Sequence, residues 1–200
     1  MKFDNSLIIV RPGRWATATA AVSMLLALSG CSDEASSTGE LGPNLSQSLE
    51  PATVAVAMRQ LPEFGTMQAM LTRSGVMPVL TNPRSTVTVF AGRDTAMAQL
   101  PPETRHAIVN TTPTAALAQT MRSMILPRVM PSEELRTRII DGGGSFSTAS
   151  MAGTTLIFRI SGDQLIITGA NGSSASMGNS ALVTGNGVIY VLDRWIGPAS

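Results

Sequence analysis

One cysteine, Cys31, and one histidine, His106, are the side chains best suited to chemistry in this 200-residue sequence. A thiolate is a nucleophile and metal ligand, and an imidazole moves protons near neutral pH. A single cysteine allows no disulfide within the chain. His106 has no serine elbow beside it, and no spacing marks partners for a Ser-His-Asp arrangement. Zinc requires several Cys or His ligands, so no metal site is expected. Gly142-Gly143-Gly144-Ser145 lacks the lysine and the strand-to-helix setting of a phosphate loop and is read as a β-turn. Asp141, Asp163 and Asp193 are too scattered for a calcium loop. Asn110-Thr111-Thr112 and Asn171-Gly172-Ser173 have sequon spacing and are read as chance matches. His106 is therefore expected at the surface, with no catalytic residue and no cofactor.

Cys31, unlike His106, has an informative context. Residues 1–14 hold Lys2, Arg11 and Arg14 against Asp4 alone, and the stretch from Trp15 to Leu28 carries no charge. That stretch is short for a membrane-spanning helix, which needs about 20 apolar residues. Leu28-Ser29-Gly30-Cys31 follows it. A basic start, a short apolar stretch and small residues before a cut describe a signal peptide over residues 1–30. The run resembles a bacterial lipoprotein signal, with Leu28, Ser29, Gly30 and Cys31 as its lipobox. The resemblance implies that the Cys31 thiol takes a diacylglycerol, that cleavage precedes it, and that the new amine is acylated, palmitate being a typical chain. Several chains anchor far better than one. Ser32 follows the cysteine where an aspartate would signal inner-membrane retention, so the resemblance favours the outer membrane in a Gram-negative host. Residues 31–50 are rich in Ser, Gly and acid and are read as the lipidated cysteine and a flexible tether.

Once Lys2, Arg11, Arg14 and Asp4 are set aside, 11 basic and 12 acidic side chains remain. They form no basic stripe, which argues against nucleic-acid binding. At 44% hydrophobic residues, with 12 methionines and few aromatics, the chain suits one domain with an aliphatic, methionine-filled core.

The spacing predicts a first helix from about Pro51, burying Val54, Ala57, Met58 and Leu61. A second buries Phe64, Met67, Met70 and Leu71 and ends at Gly75. Thr86 to Phe90 reads as a strand. Asp94 reads as the N-cap of a short helix through Leu100. Thr112 caps a further helix with Pro113 in its first turn and a stripe of Leu117, Met121, Met124 and Ile125. Ser132 caps another, with Glu133 and Glu134 suited to its dipole. Thr154–Ile160 and Gln164–Thr168 form a hairpin, and Ala181–Thr184 and Val188–Leu192 are the last strands. Turns are read at Gly169–Gly172 and Gly178-Asn179. Helices precede hairpins, so the class is α+β.

Taken in order, these segments resemble the fasciclin domain over residues 51–198. Thr86-Val87-Thr88-Val89-Phe90-Ala91-Gly92-Arg93-Asp94 is similar to the family's strand ending in Val-Phe-Ala-Pro-Thr-Asp, with Gly92 and Arg93 replacing Pro and Thr. Gly153-Thr154-Thr155-Leu156 and Ile167-Thr168-Gly169-Ala170-Asn171 carry a second likeness. Asn186-Gly187-Val188-Ile189-Tyr190-Val191-Leu192-Asp193, followed by Pro198, carries the third, with Tyr190 where histidine is usual. The family often has Tyr-His before Val-Val-Pro. Here the run is Pro127-Arg128-Val129-Met130-Pro131, so any adhesive role of that stretch is not carried over.

The resemblance implies helices followed by a β-sheet wedge of short strands and hairpins. Phe90, Asp94, Asn186, Gly187 and Asp193 are its structural motif residues. Asp94 can accept backbone N–H groups at a helix start, and Asn186 and Gly187 can adopt left-handed turn conformations. Asp193, if buried, must be paired, with backbone groups or Arg93 as candidates. The function expected is a membrane-anchored extracytoplasmic adhesion module, non-enzymatic, that binds a protein or glycan of the envelope or matrix. The alternatives are an envelope enzyme or a small-ligand or lipid carrier, which would need a pocket converging on His106, Arg128 or Asp193, and an accessory subunit of a periplasmic complex.

Overall fold

Thr53 has extended backbone angles, and its hydroxyl accepts the Val56 N–H, which starts α1 (Val54–Gln60). A 3₁₀ turn over Pro62–Phe64 leads into α2 (Gly65–Arg73). Phe64, Met67, Met70 and Leu71 are fully buried, the stripe their spacing indicates. A short α3 (Met77–Thr81) follows, then α4 (Asp94–Ala98) and α5 (Pro102–His106). A π-helical turn over Ala107–Thr111 continues α5, and the Arg73 guanidinium donates to the Ile108 and Thr112 carbonyls there. The remaining helices are α6 (Thr114–Ser123) and α7 (Ser132–Asp141). The computed structural model describes residues 52–178 and 181–197. The signal peptide, Leu28 to Cys31, the tether, Pro51, Asn179 and Pro198 lie outside the described residues.

The strands are β1 (Val87–Gly92), β2 (Ile125–Leu126), β3 (Ser145–Ala149), β4 (Thr155–Ser161), β5 (Gln164–Thr168), β6 (Ser174–Met177), β7 (Leu182–Thr184) and β8 (Gly187–Leu192). They form one sheet in the order β2-β1-β8-β6-β5-β4-β3, with β7 also paired to β8. β1 and β8 run parallel, from Val87 opposite Gly187 to Gly92 opposite Leu192. The other pairs are antiparallel. β4 and β5 join through a two-residue turn in which Gly162 takes the left-handed conformation (φ 58°) that a side chain would resist. The class is α+β.

Phe90 sits at the centre of the core, 5.4 Å from the Phe158 ring and 5.7 Å from the Tyr190 ring, which it stacks against. Methionines fill much of the surrounding space: Met58, Met67, Met70, Met97, Met121 and Met177 are all buried.

Several boundaries differ from the sequence expectation. The sequence expectation includes no helix at α3 or α5; Pro102 reads as a stop after α4, yet it and Pro78 each sit in a helix's first turn. β3 and β6 were missed because Ser-Phe-Ser-Thr-Ala and Ser-Ala-Ser-Met carry little β-branched signal. Thr112 does not cap α6. The π turn claims it, with its N–H and hydroxyl both bonded to the Ala107 carbonyl, and Pro113 holds the cap position. Likewise Pro131 is the cap of α7 and Ser132 its first residue.

Candidate binding site

The third motif stretch begins at a buried polar knot. Asn186 is 4% exposed, and its carboxamide oxygen accepts the Val54 N–H at the start of α1. Its nitrogen donates to the Leu80 and Asn82 carbonyls at the end of α3, at 3.2 and 2.8 Å. One side chain thus joins two helix ends to the β7–β8 turn. Gly187 corrects the expectation of a left-handed turn residue, since its φ lies outside that region. Its need is for space: a Cβ there would fall 2.2 Å from the Val87 carbonyl oxygen and 3.1 Å from Val54. The parallel β1–β8 approach permits no side chain at that point.

Asp94 also serves a remote partner. Arg93, not Asp94, is the cap residue of α4, and the Asp94 carboxylate accepts the Thr66 N–H at 2.9 Å in the first turn of α2. A carboxylate there suits the positive end of the helix dipole. Gly65 leaves room for it, because a Cβ would lie 3.3 Å from the other carboxylate oxygen.

Asp193 is exposed, so no buried pairing is required of it. Its carboxylate accepts the Ser176 N–H at 2.7 Å, which ties β6 to the end of β8. Arg93 does not pair with it and instead lies 3.3 Å from Glu63.

Tyr190 and the Pro127–Pro131 run, the two main departures from the motif pattern, meet in space. The buried Tyr190 hydroxyl donates to the Met130 carbonyl at 3.0 Å. Burial holds that phenol well above the ordinary tyrosine range, and Arg136 only partly offsets it. Thr88 on β1 fixes the same run, donating to the Arg128 carbonyl and accepting the Met130 N–H. The Arg128 side chain leaves this knot, donating to Thr148 on β3 with its guanidinium 5.7 Å from the Phe146 ring.

Three concavities among the described residues bear on the candidate side chains. The first, about 540 Å³, is apolar and lies between α6 and the loops around Thr154, Ala170 and Ile196. The second, about 440 Å³, is polar and includes Arg93, Gln99, Gln164 and Asp193. The third, about 330 Å³, lies beside the exposed His106, with Arg105 and Asn110. His106 and Asp193 therefore line different clefts, and Arg128 lines none of the three. None of these three clefts brings the three residues together. Among the described residues no cluster of His, Cys, Asp and Glu is placed to hold a metal ion. No helix among them is long and apolar enough to cross a membrane.

The family model of the fasciclin domain matches residues 62–198. The chain belongs to the fasciclin domain family. Among solved structures, it is similar to a FAS1 domain pair from the insect cell adhesion molecule fasciclin I, at a TM-score of 0.63 and 14% identity. The match covers 72% of this chain and 50% of that one, so the chain spans half the length of the pair. At that identity the likeness concerns the fold. A comparison with curated proteins finds no match.

Within this fasciclin domain, the motif residues act mainly on the fold. The apolar groove was not foreseen from sequence. Ala116 and Met124 come from α6 and its end, Leu156 from β4 and Ile196 from the segment after β8, and each by itself reads as an ordinary core or helix residue.

Proposed function

We propose that the protein is a lipid-anchored, extracytoplasmic binding module of the adhesion class, acting without catalysis on a protein or glycan of the envelope or matrix. The observation that carries this reading is the fasciclin match over residues 62–198, placed downstream of the Leu28-Ser29-Gly30-Cys31 run. The fold likeness to a domain pair from a cell adhesion molecule supports the adhesion class. Lipid on Cys31 fixes the module to the membrane, the outer one in a Gram-negative host, and residues 32–50 set its reach. Many anchored copies turn weak single contacts into avid attachment.

Two measurements test the two halves. Cells fed labelled palmitate should incorporate it into the wild-type chain and not into the Cys31→Ala variant. An unlabelled wild type would remove the anchor from the proposal. The purified full chain, immobilised and washed with host envelope and matrix extract, should retain a protein or polysaccharide that free chain competes away. Retention as a fixed stoichiometric complex would instead mark an accessory subunit, and turnover of envelope material would mark an enzyme.

A further inference from the structure

The apolar groove has walls built to stay open. Ala116 presents only a methyl group from α6, and Gly169-Ala170 present almost no side chain from the opposite loop. Asn171 donates to the Gly197 carbonyl at 3.0 Å, holding the segment that carries Ile196 against this loop. Gly169 lies so close to that segment that a Cβ would meet the Ile196 carbonyl at 2.4 Å. The Ser150 and Thr154 hydroxyls bond to each other at 2.7 Å and fix the neighbouring loop. Met124 and Leu156 are buried side chains that reach the groove.

None of the residues lining the groove carries a charge. Most of their side-chain donors are also already used. Thr112 donates to Ala107, Ser123 to Thr120 and Gln119 to Ala152, each at a backbone carbonyl. Asn171 is occupied on both sides, by Gly197 and by the Ser173 N–H. Thr120 alone among the polar lining side chains has no such bond among the described residues. The carbonyls of a peptide or the oxygens of a sugar laid here would find few free donors, and a charged group would find no counter-ion. An aliphatic chain needs neither. The volume is within the range of small-ligand sites, which are commonly apolar and preformed.

We propose that this groove binds a single aliphatic chain, from a free fatty acid or from the acyl tail of a phospholipid, with the polar headgroup left in water at the mouth. The chain slides over Met124 and Leu156 and is flanked by Ala116 and Ile196. This site is separate from the anchor, and it goes beyond the adhesion reading.

The test uses the full chain with phosphatidylcholine vesicles. In one arm palmitic acid carrying a diazirine is added. In the other, the phosphatidylcholine carries the diazirine on one acyl chain. After irradiation, label is mapped by mass spectrometry of arginine-cleaved peptides. Label is expected within residues 106–122 and 123–128, which hold the α6 side of the groove. Ala116→Trp should lower it about tenfold by filling the groove, and Thr120→Asp should lower it by placing a charge at the wall. Circular dichroism of both variants should match the parent, since both positions lie on the accessible side of α6. Label in the fatty-acid arm alone would name the free acid as the source, and label in both would name the acyl chain generally. Label confined to residues 1–59, label insensitive to both variants, or a cross-linked dimer in its place would overturn the proposal. Fatty acid exchanges through water, so that arm reports on the groove even if Cys31 carries no lipid. Failure of the groove and failure of the anchor therefore give different results.

Discussion

The β1–β8 pair and the β3–β6 meander are parts of the same sheet, yet they are built in opposite ways. All six residues of β1 are buried, and β8 is buried at all but one position. β4, β5 and β6 instead alternate between core and surface. The meander joins neighbours in sequence by antiparallel hairpins, whereas β1 and β8 come from opposite ends of the domain and run parallel. A parallel pair is covered on both faces and reads as a continuous apolar run; an antiparallel ribbon with one wet face alternates. The pattern of a strand therefore reports which of its faces are dry and leaves its partner open. The central pair also bears the buried long-range ties, through Asn186, Thr88 and Tyr190, while those of the meander, Arg128 to Thr148 and Asp193 to Ser176, lie nearer the surface.

Substitutions should separate the two regions. The largest effect is expected at Phe90. Phe90→Ala empties the centre of the core and should cost about 4 kcal/mol in urea denaturation, against about 1 kcal/mol for Ile166→Ala on the half-buried face of β5. Similar losses at the two positions would mean that the meander bears as much of the stability as the central pair.

Asn186→Ala comes next. It leaves the Val54 N–H and two α3 carbonyls without their partner and should cost about 3 kcal/mol. Asn171→Ala, in an exposed meander turn, should cost about 1 kcal/mol. Thermal melts of the two variants side by side decide whether the knot has this weight.

Alkaline pH probes β8 directly. Tyr190 is the one tyrosine of the chain, and its folded-state pKa is raised by burial. An unfolded tyrosine ionises near pH 10, so above about pH 10 the unfolded state gives up a proton that the native state keeps. Stability should therefore hold below that pH and fall above it, by up to about 1.4 kcal/mol per pH unit. Tyr190→Phe should flatten the decline, and an unchanged slope in that variant would show that another group drives it.

The smallest effect belongs to Asp94. Asp94→Ala removes the acceptor at the start of α2 and should cost about 1 kcal/mol. Amide exchange should rise first at Thr66 and not within α4. Faster exchange confined to α4 would assign the carboxylate to its own helix after all.

Much of this arrangement was legible beforehand. The stripes of α1, α2 and α6, the β4–β5 hairpin and the final β7–β8 strands follow from apolar spacing and turn residues, and all lie where these place them to within a few residues. β3 and β6 were not legible, because a serine-rich strand is stabilised by its neighbours and not by its own propensity. The roles of Gly187 and Asp94 were misjudged for a related reason. A glycine can answer a need for conformation or a need for space, and a capping carboxylate can serve its own helix or another. Only the remote partner, Val87 in one case and Thr66 in the other, decides between them.

The sequence by itself determined the α+β class, the run of helices before hairpins, the methionine-rich core and the likeness to fasciclin domains. These rest on local periodicity and turn chemistry, which neighbouring residues carry among themselves. The tertiary structure alone decided that β1 lies parallel to β8, that Asn186 ties α1 to α3, and that His106 and Asp193 line different clefts. It also decided that an uncharged groove opens beside α6. Each of these depends on which distant segments meet, and a hydrogen-bonding group or a methyl side chain reads the same in sequence whatever partner it finds.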